Sequence, residues 1–525
     1  MLQISGLSKF LLLILLVYLV LSIFFGFPKV TGLLIKSIWQ AGKSIVVILV
    51  HLFRFLFRSI LGGSIRSKTL DHRHSSKRIL PNSDFRDYRG IGSNSELLRI
   101  NNPILVLGRY ISANGKRGRI VKASYELLNY GVVIVGPPGS GKTESLMIPM
   151  TLDLLYHGHS VVTIDVKGDL YDRLTPNIDQ QKIRVILWDC LDPRSLSWNW
   201  LTSINSTLDI EGTVQSILGR DNPADPNPFF YHRDYRWLVS LLNIFTHLDI
   251  PDKTPDLLYR TLVNQDSIRQ LFKDFSVLRP YENELSDLLN FNPGEYSLAV
   301  SGLLNALFLF NTPQVRRIST RNTIDLNSIC NTPTLLIIGS PLSDAKRGEI
   351  LSSIMINRMI NIIYGRFNKH MGNNGLVFML DEAARLVNRI SLAEVSSVIR
   401  GAQAGICLLL QNVTQIPDHN ERDTILGNCQ TMITLRNCSS QSAEYMSQRL
   451  GQKHSTTIVT SSSKKPFGLF TENVTRSEQN ETTPVLSLRE IMSPPQVCGK
   501  YCGILHSTIL SYKPIIIDLS DNIRR

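Results

Sequence analysis

Short apolar runs that end abruptly are the first pattern along the chain. Aliphatic and β-branched residues dominate these runs, and a polar or turn-forming residue follows each one, which is typical of buried strands. Six segments carry such runs: 132–135, 160–172, 182–190, 332–342, 375–386 and 405–415. Strands that are apolar throughout are typical of a parallel sheet covered by helices on both faces, so the expected fold class is α/β.

The segment between the third and fourth runs has a different period. Across residues 195–330, apolar positions recur at helical spacing between Pro and Asn residues, as in RDYRWLVSLLNIFTHL at 233–248. Runs that resemble strands are scarce there. We therefore expect an all-α domain inserted into the α/β domain.

An uncharged apolar stretch at residues 10–27 predicts a membrane-spanning helix. At about 1.5 Å per residue it would cross most of a hydrocarbon core, and it lacks the A-x-A pattern of a cleaved signal peptide. A second apolar helix near 44–61 carries polar residues at steps of three and four. That helix either lies in the membrane interface or spans the bilayer, so one span and two spans both remain open.

Charge is concentrated near the N-terminus. Residues 1–90 hold 13 Lys and Arg against 3 Asp and Glu, whereas the rest of the 525 residues hold 43 against 40. Because positive residues remain on the cytoplasmic side of a span, the bulk of the chain is expected in the cytoplasm with either number of spans. The predicted organisation is a membrane anchor at 1–65, a basic juxtamembrane linker at 66–100, a nucleotide-binding domain at 101–194 and 331–525, and the all-α insertion at 195–330.

Neither the cysteines nor a polar segment near the C-terminus adds a chemical site. The seven cysteines are widely scattered and odd in number, which argues against a disulfide framework. Cys498 and Cys502 lack a matching second pair of metal ligands. Residues 455–482, rich in Ser, Thr, Lys and Asn, predict an exposed loop.

The sequence GPPGSGKT directly follows the first apolar run and precedes a predicted helix. Glycines in such a loop let backbone N–H groups surround an anion, while Lys142 supplies a positive charge for phosphates and Thr143 a hydroxyl for Mg²⁺. An ordinary glycine turn would not need the Lys-Thr pair. The predicted nucleotide-binding residues are Gly136, Pro137, Pro138, Gly139, Ser140, Gly141, Lys142 and Thr143.

Carboxylates for the chemistry are expected at the end of another strand. The run at 375–380 ends in Asp381 and Glu382, and open α/β sheets bind ligands at the carboxyl ends of their strands. Asp381 would hold Mg²⁺, and Glu382 is the candidate base for an attacking water. The run at 405–410 ends in Gln411, which could position that water. The alternatives are a capped helix at Asp381 and a polar strand terminus at Gln411.

The order of these motifs resembles the type IV coupling proteins of the VirD4/TraG family. The resemblance rests on GPPGSGKTES, IDVKGD, MLDEAARL, RGAQAGICLLLQNVTQI and NCQTMITLRNCSSQSAEYMSQRLG, and it covers residues 1–516. It implies a RecA-like P-loop domain in a homohexamer, with ATP and Mg as cofactors, anchored in the bacterial inner membrane. Members deliver single-stranded DNA with its relaxase, or effector proteins, to a type IV secretion channel.

The resemblance also implies roles for single residues. Lys142 would act on the phosphates, Glu382 would activate water, and Gln411 matches the glutamine that follows the strand after the Asp-Glu pair. Arg400 matches an arginine that ring ATPases present to a neighbour's nucleotide, although a solvated helix-end arginine is the alternative. Candidates for pore contacts with DNA are Arg347, Arg358 and Arg366, for which a solvated helix face is the alternative.

The function expected from the sequence is that of an ATP hydrolase that couples cargo to a conjugation or secretion channel. A membrane-anchored translocase for double-stranded DNA is one alternative, but the additional spans and winged-helix module of such proteins are not evident. A receptor that binds nucleotide without hydrolysing it is the other. Retention of both Asp381 and Glu382 disfavours that receptor.

Overall fold

The computed structural model describes residues 91–525, apart from 94, 96, 368–373, 464–472, 495–498 and 524–525. The predicted membrane segments at 10–27 and 44–61 therefore lie outside the described residues. Among the described residues no single helix has both the length and the hydropathy to cross a bilayer, and one bent pair, Pro293–Asn311 with Pro313–Ser319, meets both criteria together.

A mixed sheet of eleven strands forms the centre of the structure, and two further strands form a separate sheet. Along the large sheet the strand order is β2-β1-β13-β12-β9-β3-β8-β7-β4-β6-β5. The strands are β1 (Leu105–Ile111), β2 (Arg117–Ala123), β3 (Val132–Val135), β4 (Ser160–Asp165), β5 (Arg184–Trp188), β6 (Thr334–Gly339), β7 (Leu376–Leu380), β8 (Ala404–Leu410), β9 (Thr431–Leu435), β10 (Gln452–Ser463), β11 (Asn473–Pro484), β12 (Cys502–Ser507) and β13 (Ile515–Asp518).

The half of the large sheet from β9 to β5 is parallel, and each of the six predicted runs contains one of its strands. Alternate residues of β3 contribute to two different cores: Val133 and Val135 to one, Val132 and Ile134 to the other. Since both faces of the strand are buried, neither carries the polar residues that a half-exposed strand would show. This two-sided burial explains the uninterrupted apolar runs.

The other half of the sheet is antiparallel. β12 pairs with β9 and β13, and β1 pairs with β13 and β2, in each case antiparallel. Asn522, near the C-terminal end, connects the two halves of the sheet. Its Nδ2 donates hydrogen bonds to Ser145 O, in the helical segment after β3, at 2.8 Å and to Val106 O, in β1, at 3.4 Å. The antiparallel strands thus fix the helix that carries Ser145.

Fifteen α-helices occur in the described residues, and seven of them lie between β5 and β6. The helices before β5 are α1 (Glu126–Asn129), α2 (Ile148–Tyr156), which continues from a π-helical segment at Lys142–Met147, and α3 (Leu170–Leu174). Between β5 and β6 lie α4 (Thr207–Leu218), α5 (Pro228–Thr246), α6 (Pro255–Val263), α7 (Gln265–Asp274), α8 (Ser286–Leu289), α9 (Pro293–Leu307) and α10 (Pro313–Ser319). After β6 follow α11 (Ala345–Tyr364), α12 (Leu392–Val398), α13 (His419–Asn428), α14 (Ser440–Leu450) and α15 (Leu488–Met492).

Local sequence determines where several of these helices begin. Asn292 accepts hydrogen bonds from the N–H groups of Gly294 and Glu295, while the Glu295 side chain accepts one from Asn292 N–H, which forms a capping box at the start of α9. Pro293 occupies the first helical position, where its missing N–H costs no intrahelical hydrogen bond. Asn and Pro thus set the start of this helix.

The prediction of an exposed loop at 455–482 is wrong, because most of that segment belongs to β10 and β11, which pair with each other. Its Thr, Val and Ile residues favour extended backbone. The sequence argument gave weight to polarity and missed this β-propensity.

Two of the three arginines proposed to contact DNA are engaged in intramolecular hydrogen bonds. Arg358 on α11 donates to Asp209 Oδ1 on α4 at 2.5 Å, and Asn361 donates to the same oxygen at 3.0 Å. Arg366 is 8% exposed and donates to Cys330 O at 2.9 Å. Arg347 is partly exposed and pairs with Asp344 at 3.0 Å. The helical periodicity could not reveal these partners, which are distant in sequence for Arg358 and Arg366.

The Arg358–Asp209 pair generates a stability prediction. Arg358→Ala leaves the buried Asp209 carboxylate without its positive partner, so we expect the free energy of unfolding to fall by about 3–5 kcal/mol. Arg347→Ala is the matched control on the same helix, and its more exposed pair should cost less than about 1 kcal/mol. Chemical denaturation of both variants measures the difference. Equal losses would contradict a structural role specific to Arg358.

Candidate active site

The loop that follows β3 is held open by glycines. Gly139 and Gly141 have φ values of 76° and 92°, a left-handed backbone that side chains disfavour. A Cβ on Gly136 would lie 2.7 Å from Ser140 Oγ, so glycine is required there for space. Lys142 is buried, and its Nζ donates to Gly136 O at 2.6 Å. The lysine therefore lies across the loop, with its ammonium beside the first residue of the motif.

The loop residues fit a phosphate group. Ser140 Oγ is buried without a hydrogen-bond partner in the described part of the chain, and a Cβ on Gly139 would meet nothing within 4 Å. Burial lowers the pKa of Lys142, while Glu382 and Asp381 oppose that shift. An anion in the loop would likewise favour the charged form of the lysine. Space, an unpaired hydroxyl and a buried cation thus occur together, as phosphate binding requires.

A hydroxyl and a carboxylate meet beside this loop. Thr143 Oγ1 donates to Asp381 Oδ2 at 3.1 Å, although the two residues are far apart in sequence. Burial raises the pKa of Asp381, and the neighbouring Glu382 carboxylate raises it further. A divalent cation at this position would stabilise the charged carboxylate.

Magnesium suits this pair of groups. No cluster of three or more His, Cys, Asp or Glu residues that could hold a metal occurs in the described residues. Mg²⁺ commonly takes one or two protein ligands and completes its shell with water and phosphate oxygens. Thr143 and Asp381 therefore fit a magnesium ion that is bound together with a nucleotide, and not a site formed by protein ligands alone.

Glu382 and Gln411 form the second pair of the site. Gln411 Nε2 donates to Glu382 Oε1 at 2.7 Å, while Glu382 N donates to Asp381 Oδ1 at 3.0 Å. Glu382 itself has a φ of 50°, in the left-handed region. Such a conformation in a non-glycine residue costs on the order of 1–3 kcal/mol and is concentrated at functional sites. The turn after β7 thus directs two adjacent carboxylates to different partners, Asp381 to Thr143 and Glu382 to Gln411.

Arg400 is the predicted site residue that the structure does not bring to this group. Arg400 precedes β8 and Gln411 follows it, so the two residues lie near opposite ends of this strand. Its guanidinium lies over the Tyr130 ring, 3.8 Å from the centroid, and donates to Tyr130 Oη at 2.5 Å. Tyr130 precedes β3. Arg400 therefore does not serve the nucleotide loop of its own chain.

Asp165 at the end of β4 and Asp189 directly after β5 accept hydrogen bonds from the backbone. Asp165 accepts hydrogen bonds from the N–H groups of Lys167, Gly168 and Leu170, at 3.1, 2.7 and 2.8 Å. Asp189 accepts one from Leu191 N at 2.8 Å. Burial raises the pKa of both carboxyl groups. These contacts indicate that each aspartate stabilises the loop that follows its strand.

Sequence reasoning missed two residues near the site. Arg385, three residues after Glu382, donates to Ser340 O at 2.9 Å and pairs with Glu349 at 3.3 Å, which fixes the turn after β7 to the end of β6. Its position after the Asp-Glu pair was the available signal. Tyr501 packs against Gly141. No local pattern marks that residue, because its position depends on antiparallel pairing across the sheet.

Comparisons with known proteins identify the family and the fold of the chain. The family described as type IV secretory system conjugative DNA transfer matches residues 92–497. No curated protein sequence matches the chain significantly.

Solved structures of the bacterial conjugative coupling protein TrwB share the fold. The trigonal form with sulphate has a TM-score of 0.59 at 18% identity and covers 85% of this chain and 96% of that chain. The complex of TrwB with ADP and Mg²⁺ has a TM-score of 0.56 at 16% identity and covers 80% and 89%. The complex with a non-hydrolysable ATP analogue has a TM-score of 0.55 at 16% identity and covers 76% and 87%.

Asp381 provides a test of the site that does not require turnover. Because its raised pKa means that the folded chain binds the proton more tightly, the stability it contributes is full below pH 3.8 and is lost as the pH rises through the folded pKa. At pH 7 in metal-free buffer, Asp381→Asn should therefore be more stable than the wild type. Adding Mg²⁺ and ADP should then stabilise the wild type more than the variant. Denaturation midpoints report both effects, and a variant less stable than the wild type without ligand would contradict the assignment.

Proposed function

Because the chain belongs to the type IV secretory system conjugative DNA transfer family, we propose that it is a membrane-anchored ATP hydrolase that delivers cargo to a secretion channel. The observation that carries this proposal is the meeting of two pairs at one edge of the sheet: Thr143 with Asp381, and Glu382 with Gln411. Lys142 lies between Gly136 and these carboxylates. The arrangement combines phosphate binding, metal binding and a general base.

Each residue then has a distinct task. Bound ATP with Mg²⁺ supplies the phosphoanhydride bond that is broken. Lys142 neutralises phosphate charge from a buried position, where an ammonium acts more strongly than in water. Thr143 and Asp381 would hold the metal ion, which would neutralise negative charge on the phosphates. The Glu382 carboxylate accepts a proton from the attacking water, and Gln411 orients that carboxylate through its amide.

The Glu382–Gln411 contact favours hydrolysis over the alternative of a receptor that only binds nucleotide. A receptor needs Lys142 and Thr143 to hold phosphate, but it does not need a carboxylate in a strained conformation that is fixed by a hydrogen bond from another strand end. The family match likewise favours conjugative transfer over a chromosomal double-stranded DNA translocase.

The position of Arg400 supports assembly into a ring. Arg400 lies at the amino end of β8, whereas the nucleotide loop of the same chain lies at the carboxyl end of the parallel strands. It can therefore reach a nucleotide only in a neighbouring subunit. We propose a homohexamer in which Arg400 neutralises charge on a neighbour's phosphates. Residues 10–27 would anchor the ring in the bacterial inner membrane, with the bulk of each chain in the cytoplasm.

The proposed cargo is single-stranded DNA bound to its relaxase, with effector proteins as the second candidate, and the proposed recipient is the type IV secretion channel. The family description supports DNA as the first choice. Because Arg358 and Arg366 are held by intramolecular hydrogen bonds, we expect DNA contacts to come from other positive residues.

ATP turnover by the full chain in lipid nanodiscs, measured with and without single-stranded DNA, tests the proposal. We expect DNA to stimulate turnover. Lys142→Ala should lose both nucleotide binding and turnover. Glu382→Gln should retain binding and lose turnover by about 10²–10⁴-fold, since it removes only the general base. Tyr512→Ala, which removes an exposed side chain outside the site, is the control. Turnover that persists in Glu382→Gln would contradict the role of this residue.

The role of Arg400 is tested by mixing subunits. Arg400→Ala should bind ATP normally and lose turnover, because the missing cation belongs to a neighbour's site. Glu382→Gln subunits are also inactive, but they carry an intact Arg400. Co-assembled rings of the two variants should regain part of the wild-type turnover, since an intact arginine then faces an intact base at some interfaces. No recovery in mixed rings, or lost ATP binding by Arg400→Ala alone, would refute action between subunits.

A further inference from the structure

Tyr501 lies at the same sheet edge as the nucleotide loop. It immediately precedes β12, which runs antiparallel to β9, so the start of β12 is adjacent to the end of β9. Arg436 N donates to Cys502 O, and Leu519 N donates to Tyr501 O, both at 2.9 Å. The backbone at Tyr501 is therefore fixed on two sides.

The ring of Tyr501 contacts the nucleotide loop directly. A Cβ built on Gly141 would overlap the Cδ1, Cε1 and Cγ atoms of the ring, so the ring can lie against the loop only because residue 141 is glycine. The side chain is half-buried, and the ammonium of exposed Lys500 lies 5.0 Å from the ring centroid. A flexible lysine over one face shows that this face has room for a planar group.

The position of the catalytic groups defines the direction of a bound nucleotide. Asp381 and Gln411 follow β7 and β8, on one side of β3, whereas β9 and β12 lie on the other side. The terminal phosphate must lie near Glu382 for hydrolysis, so the nucleoside end must point away from β7 and β8. That direction leads toward Tyr501.

We propose that Tyr501 is the nucleobase platform of the site, on which the base of the bound nucleotide stacks. This inference rests on the proposed nucleotide-binding function. Stacking uses the π-face that every base offers, so Tyr501 acts as a positioning residue that tolerates different bases. ADP and GDP should therefore depend on the ring to a similar extent.

The experiment separates base stacking from support of the loop. Calorimetric titrations of the full chain in nanodiscs use Mg²⁺–ADP and, as a ligand without base or ribose, Mg²⁺–pyrophosphate. Tyr501→Ala should weaken ADP binding by about 5- to 100-fold, the range measured for loss of base–aromatic stacking, and should leave pyrophosphate binding unchanged. Tyr501→Phe should bind ADP as the wild type does. Tyr512→Ala, which removes an exposed tyrosine from the β12–β13 connection, is the matched control and should change neither affinity.

Each outcome of these titrations either supports or overturns the stacking role of Tyr501. Equal weakening of ADP and pyrophosphate by Tyr501→Ala would show that the ring only supports Gly141, and unchanged affinity for both would show that the base lies elsewhere; either result overturns the proposal. Failure of Tyr501→Phe to restore ADP binding would also overturn it. If the wild type itself bound no ADP, the proposed nucleotide function would fail, and this inference would fail with it.

Discussion

The register of three parallel strands is the constraint on which the site depends. Val135 of β3 lies opposite Leu410 of β8, and Leu380 of β7 lies opposite Leu408 of β8. The residues that follow these strands therefore emerge at nearly the same level, and Gly136 N donates to Leu410 O at 3.0 Å. A slip of one residue would turn each side chain to the opposite face, where its shape would not fit the close-packed neighbours. Hydrophobic packing thus holds the polar groups of the site together.

The same packing determines how much the sequence could predict. The strands of the parallel half were predictable because two-sided burial leaves an uninterrupted apolar run, and the loop because its glycines, lysine and threonine are contiguous. β10 and β11 were missed because their Thr, Val and Ile residues stand among Ser, Lys and Asn residues, which also suit a loop. The pairing of Arg358 with Asp209, and the contact of Tyr501 with Gly141, join residues distant in sequence. Periodicity carries no information on such pairs.

In the proposed ring, the separation of Arg400 from Glu382 would link the fold of one chain to its assembly. The carboxyl ends of the parallel strands would bind the chain's own nucleotide, and their amino ends would face a neighbouring subunit. Gln411 and Arg400 are connected through β8, so a change at one end of this strand has a direct covalent route to the other end. In the proposed ring, such strands would couple the nucleotide state of one subunit to the cation that it presents to the next.

The central claim is that Thr143 and Asp381 hold a divalent cation together with a nucleotide. Electron paramagnetic resonance with Mn²⁺ in place of Mg²⁺ measures this most directly on the full chain. The account predicts that tightly bound Mn²⁺ appears only when ADP or ATP is added, and that Asp381→Asn weakens the binding at least about tenfold, which corresponds to about 1.4 kcal/mol. Mn²⁺ that binds equally well to Asp381→Asn, or without any nucleotide, would contradict it.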